Sequence, residues 1–292
     1  MTSSISGFIF GFLAAAMLWA GLRDMFARAV FQRSNYRGAP LATSVGVVMI
    51  IAVFLAAAII GLVESLGLGR YWPGLPSLRL TALAAGGFGL LGLLDDLAVD
   101  EDTAGYRGHL KALFAGRLSA GSLKMLAGPA VALVVAQGTA GGSLGWMVLH
   151  GAIIALAANL ANLLDRAPGR VTKVSTIAVA ALFIATAVPY IDGYTRQLPA
   201  LAGVATILGA AWGLMRPELR EELMIGDAGA NPLGAAVGLA VVLTQGRVVQ
   251  VVILVVLIAL NVASERVSFS SVIRRVTPLR FIDDLGRAGG GS

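Results

Sequence analysis

Asp95 and Asp96 stand side by side after eight uncharged residues in GFGLLGLLDDLAVD. Adjacent carboxylates repel each other and resist leaving water, so an apolar helix that ends in them should end in an aqueous mouth. Further along, NLANLLD sets Asn159, Asn162 and Asp165 at spacings of three, on one helical face. Asn in an apolar helix is costly without a partner, and the full stripe argues for a polar cavity. GDAGANPLG places Asp227 between Gly226 and Gly229 at a helix start. Orphan backbone N–H groups and the positive dipole end favour a phosphate there, and glycine lets it approach. An Asp among them can hold Mg2+ shared with the same phosphates. Cations come from Lys124 and from Arg33 and Arg37 in the loop RSNYRGAP. Together these groups make an inventory for handling a diphosphate, since phosphoryl transfer asks mainly for positioning, charge neutralisation and at most one base.

The elements that must position these groups follow from composition. Of 292 residues 57% are hydrophobic and 13% charged, with 37 Gly and a mean hydropathy of +0.83. Such a chain reads as a polytopic membrane protein of the all-α class rather than a soluble domain. Its net charge of +6 is then a matter of topology and not of nucleic-acid binding. A bilayer core takes roughly 20 apolar residues per helix. On that ruler nine spans are expected, near 5–22, 42–64, 80–96, 122–138, 143–164, 171–191, 199–215, 228–245 and 247–267, the short fourth and seventh being the weakest. With the N-terminus outside, eighteen Lys and Arg fall on the inner side and four on the outer, namely Arg70, Arg79, Arg196 and Arg247. That asymmetry puts the C-terminus in the cytoplasm and brings Asp95, Asp96, Asp165 and Asp227 to one membrane face. Residues 1–267 form one transmembrane domain. Residues 268–292 read as an interfacial tail at the anionic inner leaflet with a flexible GRAGGGS end. MTSSISG has no basic residue before the first apolar stretch, which reads as a retained span.

Plainer roles are available to each group. The paired carboxylates can be solvated helix ends, Asn159 can bond a neighbouring helix, Asp227 can be a simple cap, and the basic loop can be a topology signal. His150, nearer the outer side, reads as a packing or interhelical hydrogen-bonding residue, and His109 as a solvated loop residue.

LLDDL, NLANLLD and GDAGAN, in that order and each at the inner end of a span, resemble the motifs of the polyprenyl-phosphate N-acetylhexosamine-1-phosphate transferases. That family includes phospho-N-acetylmuramoyl-pentapeptide transferase. NYRGAP with TSVG, and LSAGSLKMLAG, resemble two further regions, so the likeness extends over residues 33–240. It implies transfer of a sugar 1-phosphate from a UDP-sugar to a polyprenyl phosphate at the cytoplasmic face of the plasma membrane, releasing UMP, with Mg2+ as cofactor. Carried over by position, Asp95 would accept a proton and Asp96 would lie near the metal. Asn162 and Asp165 would lie against the nucleotide or diphosphate, Asp227 would ligate Mg2+, and Lys124 would contact phosphate. Asn159, Arg37, Gly226 and Gly229 complete the expected substrate contacts, and a homodimer is compatible with this scheme. The sequence departs from the family where Val99 replaces a Lys, DRAPGR replaces a second acid, and Ala230 replaces a Ser. A His cluster in the last cytoplasmic loop and a final span are missing. Those gaps fall where the family is expected to distinguish sugars. They leave room for a lipid- or partner-binding member without catalysis, and, further off, for a transporter.

Overall fold

The structure, a computed structural model, describes residues 2–34, 38, 40–68, 71–98, 120–187 and 198–287. Each expected span is a helix: α1 (Thr2–Phe26), α2 (Val47–Ser65), α3 (Leu75–Leu97), α4 (Ala120–Gln137), α5 (Leu144–Leu164), α6 (Arg170–Ala187), α7 (Ala202–Leu219), α8 (Asp227–Thr244) and α9 (Arg247–Ser264). Among the described residues eight helices are long and apolar enough to cross a membrane, α7 counting with the short turn Leu198–Leu201 that leads into it. The apolar part of α4, Leu123–Gln137, is shorter. The chain is therefore an all-α bundle with the makeup of a multi-pass membrane protein. Two short helices follow α9, α10 (Phe269–Arg275) and α11 (Thr277–Asp284).

Side-chain size sorts the helices by depth. In α8, which is rich in Gly and Ala, 83% of the most apolar window is buried, and the helix packs against α3, α5, α6 and α7. Small side chains let backbones approach on several sides at once, which is what membrane helices need where hydrophobic burial gives no preference between helix and lipid. In α9 only 11% of the corresponding window is buried. Its exposed Val248, Val251, Val252, Val255 and Val256 form a surface suited to lipid and not to water. The contact of α1 with α7 also runs through small residues: a Cβ at Gly11 would meet the Thr206 carbonyl, and one at Gly213 would stand 2.5 Å from the Phe12 carbonyl oxygen.

The hydropathy pattern carried no hint of sheet, yet a small antiparallel hairpin precedes α2. β1 (Gln32–Ser34) pairs with β2 (Pro40–Ala42) in the register Gln32 with Ala42. Ala42 then bridges Leu223, and the amides of Val45 and Gly46 donate to the carbonyls of Met224 and Ile225 at 3.1 and 2.9 Å. These bonds tie the loop between α1 and α2 to the segment that leads into α8.

The bundle direction yields a topology test. Ser34, Ala167 and Ser271 lie at the end of the bundle that holds Asp95, whereas Thr139 lies in the turn between α4 and α5 at the other end. The chain has no Cys, so a single Cys introduced at any of these positions has no background. The variants Ser34→Cys, Ala167→Cys and Ser271→Cys are expected to react with an impermeant maleimide only from the cytoplasmic side, and Thr139→Cys only from outside. Labelling of Ala167→Cys and Thr139→Cys from the same side would break the arrangement.

Candidate functional site

The site forms where the last turn of α3 meets the first turn of α8. Gly92 lies against the backbone of Asp227, and any side chain there would strike the Asp227 carbonyl. One turn later Asp96 reaches the exposed N–H groups at the start of α8. Its Oδ1 accepts from Asp227 N at 3.0 Å and its Oδ2 from Ala228 N at 3.1 Å. A carboxylate on a helix N-terminus satisfies orphan donors and opposes the positive dipole end, a charge-assisted arrangement worth about 1.5–3 kcal/mol per bond. Gly226 is required beside it twice over, because its φ of +64° is left-handed and an added Cβ would stand 2.5 Å from Asp96 Oδ2. Arg33 Nη2, from β1, donates to the Asp96 carbonyl at 3.3 Å.

With α8 held in this way, Asp227 projects toward α4 and α5. Lys124 Nζ bridges Asp95 Oδ2, at 3.1 Å, and Asp227 Oδ2. Asn162 Nδ2 donates to the same Asp227 oxygen at 2.7 Å. Asp95 and Asp227, from two different helices, thus share one ammonium supplied by a third. Asp165 lies just past α5 and is half-buried. Burial raises its pKa well above the ordinary carboxylate value, and the charges of Glu218, Asp227 and Asp96 add to the shift.

Several expectations change in detail. The N–H groups at the start of α8 do not stand open for a phosphate, since Asp96 takes those of Asp227 and Ala228. Gly229 serves helix packing and not ligand approach: an added Cβ would lie 2.9 Å from Gly46 Cα and 2.7 Å from Ile225 Cβ. Asn159 turns away from the cluster and donates to Asn261 Oδ1 of α9 at 2.7 Å, because three residues along a helix rotate the face enough to reach a different neighbour. His150 makes the interhelical hydrogen bonds its position suggested, to Thr139 and Gln250. Arg37 and His109 lie outside the described residues.

Other polar groups had no clear signal in the sequence. Asn231, one turn inside Asp227, is 1% exposed, and neither side-chain polar atom has a hydrogen-bond partner among the described residues. Its place at the end of GDAGAN, four residues from Asp227, was the available hint. More consequential is a latch between the start of α6 and the tail. Arg170 donates to both oxygens of Asp283, from Nε at 2.7 Å and from Nη2 at 2.9 Å, and its Nη1 donates to Ser270 Oγ at 2.8 Å. Lys173 Nζ donates to the Asp283 carbonyl at 2.7 Å, and Arg287 lies 2.7 Å from Asp283 Oδ1. The tail is thereby fastened to the helix that follows the loop carrying Asp165. FIDDLGR held a weak cue in its acidic pair followed by Arg287.

An apolar groove of about 400 Å3 runs between α5, α6, α8 and α9. Leu164 and Val171, either side of Asp165 in the chain, line it, with Leu182 and Ile253 further along, and Ser175 and Gln245 are its only polar lining residues among those described. No family model matches the chain, and no curated protein matches it.

The latch makes a prediction of its own. Burial alone would raise the pKa of Asp283, but the hydrogen bond from Arg170 and the charges of Arg170 and Arg287 outweigh it and hold the carboxyl below its ordinary value. A depressed acid contributes its stability above the unfolded value of about 3.9 and loses it as pH falls through the folded value. Tail docking should therefore be unchanged between pH 7 and 5 and loosen only below about pH 4. Arg170 and Asp283 side chains are only 5% and 7% exposed, so Asp283→Ala leaves a buried cation unpaired, at a cost of about 3–5 kcal/mol. Thermal unfolding and limited proteolysis should show an early-melting, cleavable tail in that variant, and Arg170→Met added to it should recover part of the loss.

Proposed function

We propose that the chain is a Mg2+-dependent membrane transferase that moves a sugar 1-phosphate from a UDP-sugar to a polyprenyl phosphate at the cytoplasmic face of the plasma membrane. The observation that carries this reading is the convergence of Asp95, Asp227, Asn162 and Lys124, together with an apolar groove whose lining reaches Leu164, two residues past Asn162. A long lipid chain needs an apolar channel within the bilayer, and its phosphate needs charged partners where that channel ends. The groove beside Leu164 and the cluster beside Asp165 supply the two in sequence.

Mg2+ suits these residues. No cluster of three acidic or His side chains among the described residues could hold a metal alone. Mg2+ commonly binds through one or two carboxylates together with substrate phosphates. Asp95 and Asp227 already point one oxygen each at a single cation, Lys124, so a hard two-oxygen donor set is present. When bound, the ion would neutralise and orient the diphosphate. The lipid phosphate oxygen attacks the phosphorus that bears the sugar, the bond from that phosphorus to the bridging oxygen breaks, and UMP leaves with the electron pair. Lys124 offsets negative charge on the phosphates, Asn162 fixes Asp227, and Asp95 takes any proton still on the acceptor. A phosphate monoester is largely ionised near neutrality, so the base contributes modestly.

A second reading, a polyprenyl-lipid binder without catalysis, is favoured by one feature: Lys124 and the start of α8 already neutralise the carboxylates from within. The test uses purified protein, Mg2+, polyprenyl phosphate and a panel of UDP-sugars, with UMP measured. Asp227→Asn should lose Mg2+ affinity and turnover together. Asp95→Asn should keep UDP-sugar binding and turn over roughly 10²-fold more slowly. Retained lipid binding with no UMP from any UDP-sugar would establish the second reading instead.

A further inference from the structure

A second cavity, of about 590 Å3, lies at the opposite end of the bundle from the carboxylates. It is enclosed by the starts of α3, α5 and α9, the ends of α4 and α8, and Tyr71. Nothing in the transferase reading uses it.

The deep polar groups of this cavity are occupied with one another. Gln250 Nε2 donates to the carbonyls of Val242 and Gln245 at 3.0 and 2.9 Å, which turns its Oε1 toward His150 Nε2 at 3.0 Å. His150 must then donate from Nε2, and the single Thr139 hydroxyl proton serves either His150 Nδ1, 2.8 Å away, or the Ala136 carbonyl at 2.9 Å. Thr244 donates to the Ala240 carbonyl, and Ser77 to that of Gly74. The bonds through Gln250 and His150 join α9 to α8, α5 and the turn after α4 in a floor.

What remains for a ligand lies nearer the mouth. The Arg247 guanidinium carbon sits 4.8 Å from the Trp146 ring centroid, and the Trp146 ring lies 6.0 Å from that of His150. That contact places the cation over an aromatic face and does not consume the five N–H donors of the guanidinium. Arg247 has no carboxylate partner among the described residues, and neither the Trp146 indole N–H nor the Tyr71 hydroxyl bonds another described residue. No described Asp or Glu lines the cavity. Among the described residues the unengaged groups are thus a planar cation and two donors, set beside aromatic and proline surface from Trp146, Pro73 and Pro76. Such a set selects an acceptor-rich anion, and the guanidinium fork matches phosphate in particular. The volume far exceeds one phosphate, so the anion would be attached to a larger body.

We propose that this cavity is a binding site for a phosphate-bearing ligand, held by Arg247 and Trp146, on the membrane side opposite the carboxylate cluster. The phosphate can belong to an outer-leaflet lipid headgroup or to a small soluble ester, and the test separates them. The full chain in detergent is titrated calorimetrically with short-chain phosphatidylglycerol, short-chain phosphatidylcholine and glycerol 3-phosphate. Phosphatidylglycerol is expected to bind, with affinity falling about tenfold or more in Arg247→Gln and by less in Arg247→Lys. Trp146→Leu should also weaken it, whereas Lys124→Gln, at the other end, should not. Equal Arg247-dependent binding of glycerol 3-phosphate would assign the site to soluble phosphate esters, and failure of that ester to bind would assign it to lipid headgroups. Unchanged thermal unfolding of ligand-free Arg247→Gln shows that the variant is folded. Binding of every anion unaffected by Arg247→Gln, or lost in Lys124→Gln alone, would overturn the proposal.

Discussion

Asp96 accepting the first two N–H groups of α8 is the contact on which the remaining geometry rests. A buried helix start carries unpaired donors and a partial positive charge, and in a bundle of this composition few groups can satisfy both. Asp96 does so from a neighbouring helix, so one interaction fixes the depth and rotation of α8 relative to α3. Gly92 and Gly226 permit the approach, the first by having no side chain between the backbones and the second by turning the chain at positive φ. Asp227 is then held with its carboxylate toward Lys124 and Asn162 rather than toward its own helix start.

Adjacent carboxylates would ordinarily be a liability. Here consecutive residues on a helix point about 100° apart, and each acid finds a different positive partner: Lys124 for Asp95, the end of α8 for Asp96. The cluster is consequently neutralised by components of unlike mobility. A helix terminus cannot leave its carboxylate, whereas a Lys side chain on α4 can exchange one anionic partner for another. That difference is why the proposed chemistry is assigned to Asp95 and Asp227 and the structural role to Asp96.

The helices were legible because apolar runs of bilayer length leave little alternative, and because Gly141 with Gly142 makes a turn that separates α4 from α5. The acids were legible as a group because each ends or begins a span on the same side. Their division of labour was not, since the cap on α8 joins residues 131 apart in the chain and no local spacing encodes it. The same reason hid the latch between Arg170 and Asp283, where a stretch that reads as an interfacial tail docks one buried carboxylate. Asn159 shows the converse limit: a spacing of three suggested one face, but the side chain bonds α9 while Asn162 bonds Asp227. The hairpin before α2 was invisible because its strands are three residues each, too short for a period of two to register.

The central proposal is that Asp95 and Asp227 form a cation site in which Lys124 stands until a divalent ion and phosphate arrive. Thermal unfolding of Lys124→Met, with and without Mg2+, tests it most directly. Without the ammonium the two carboxylates face each other unscreened, so the variant should melt below wild type in chelator. Mg2+ should then raise its melting temperature more than that of wild type, since saturation at about a hundred times Kd is worth about 2.7 kcal/mol. A Lys124→Met protein that melts like wild type and ignores Mg2+ would contradict the account.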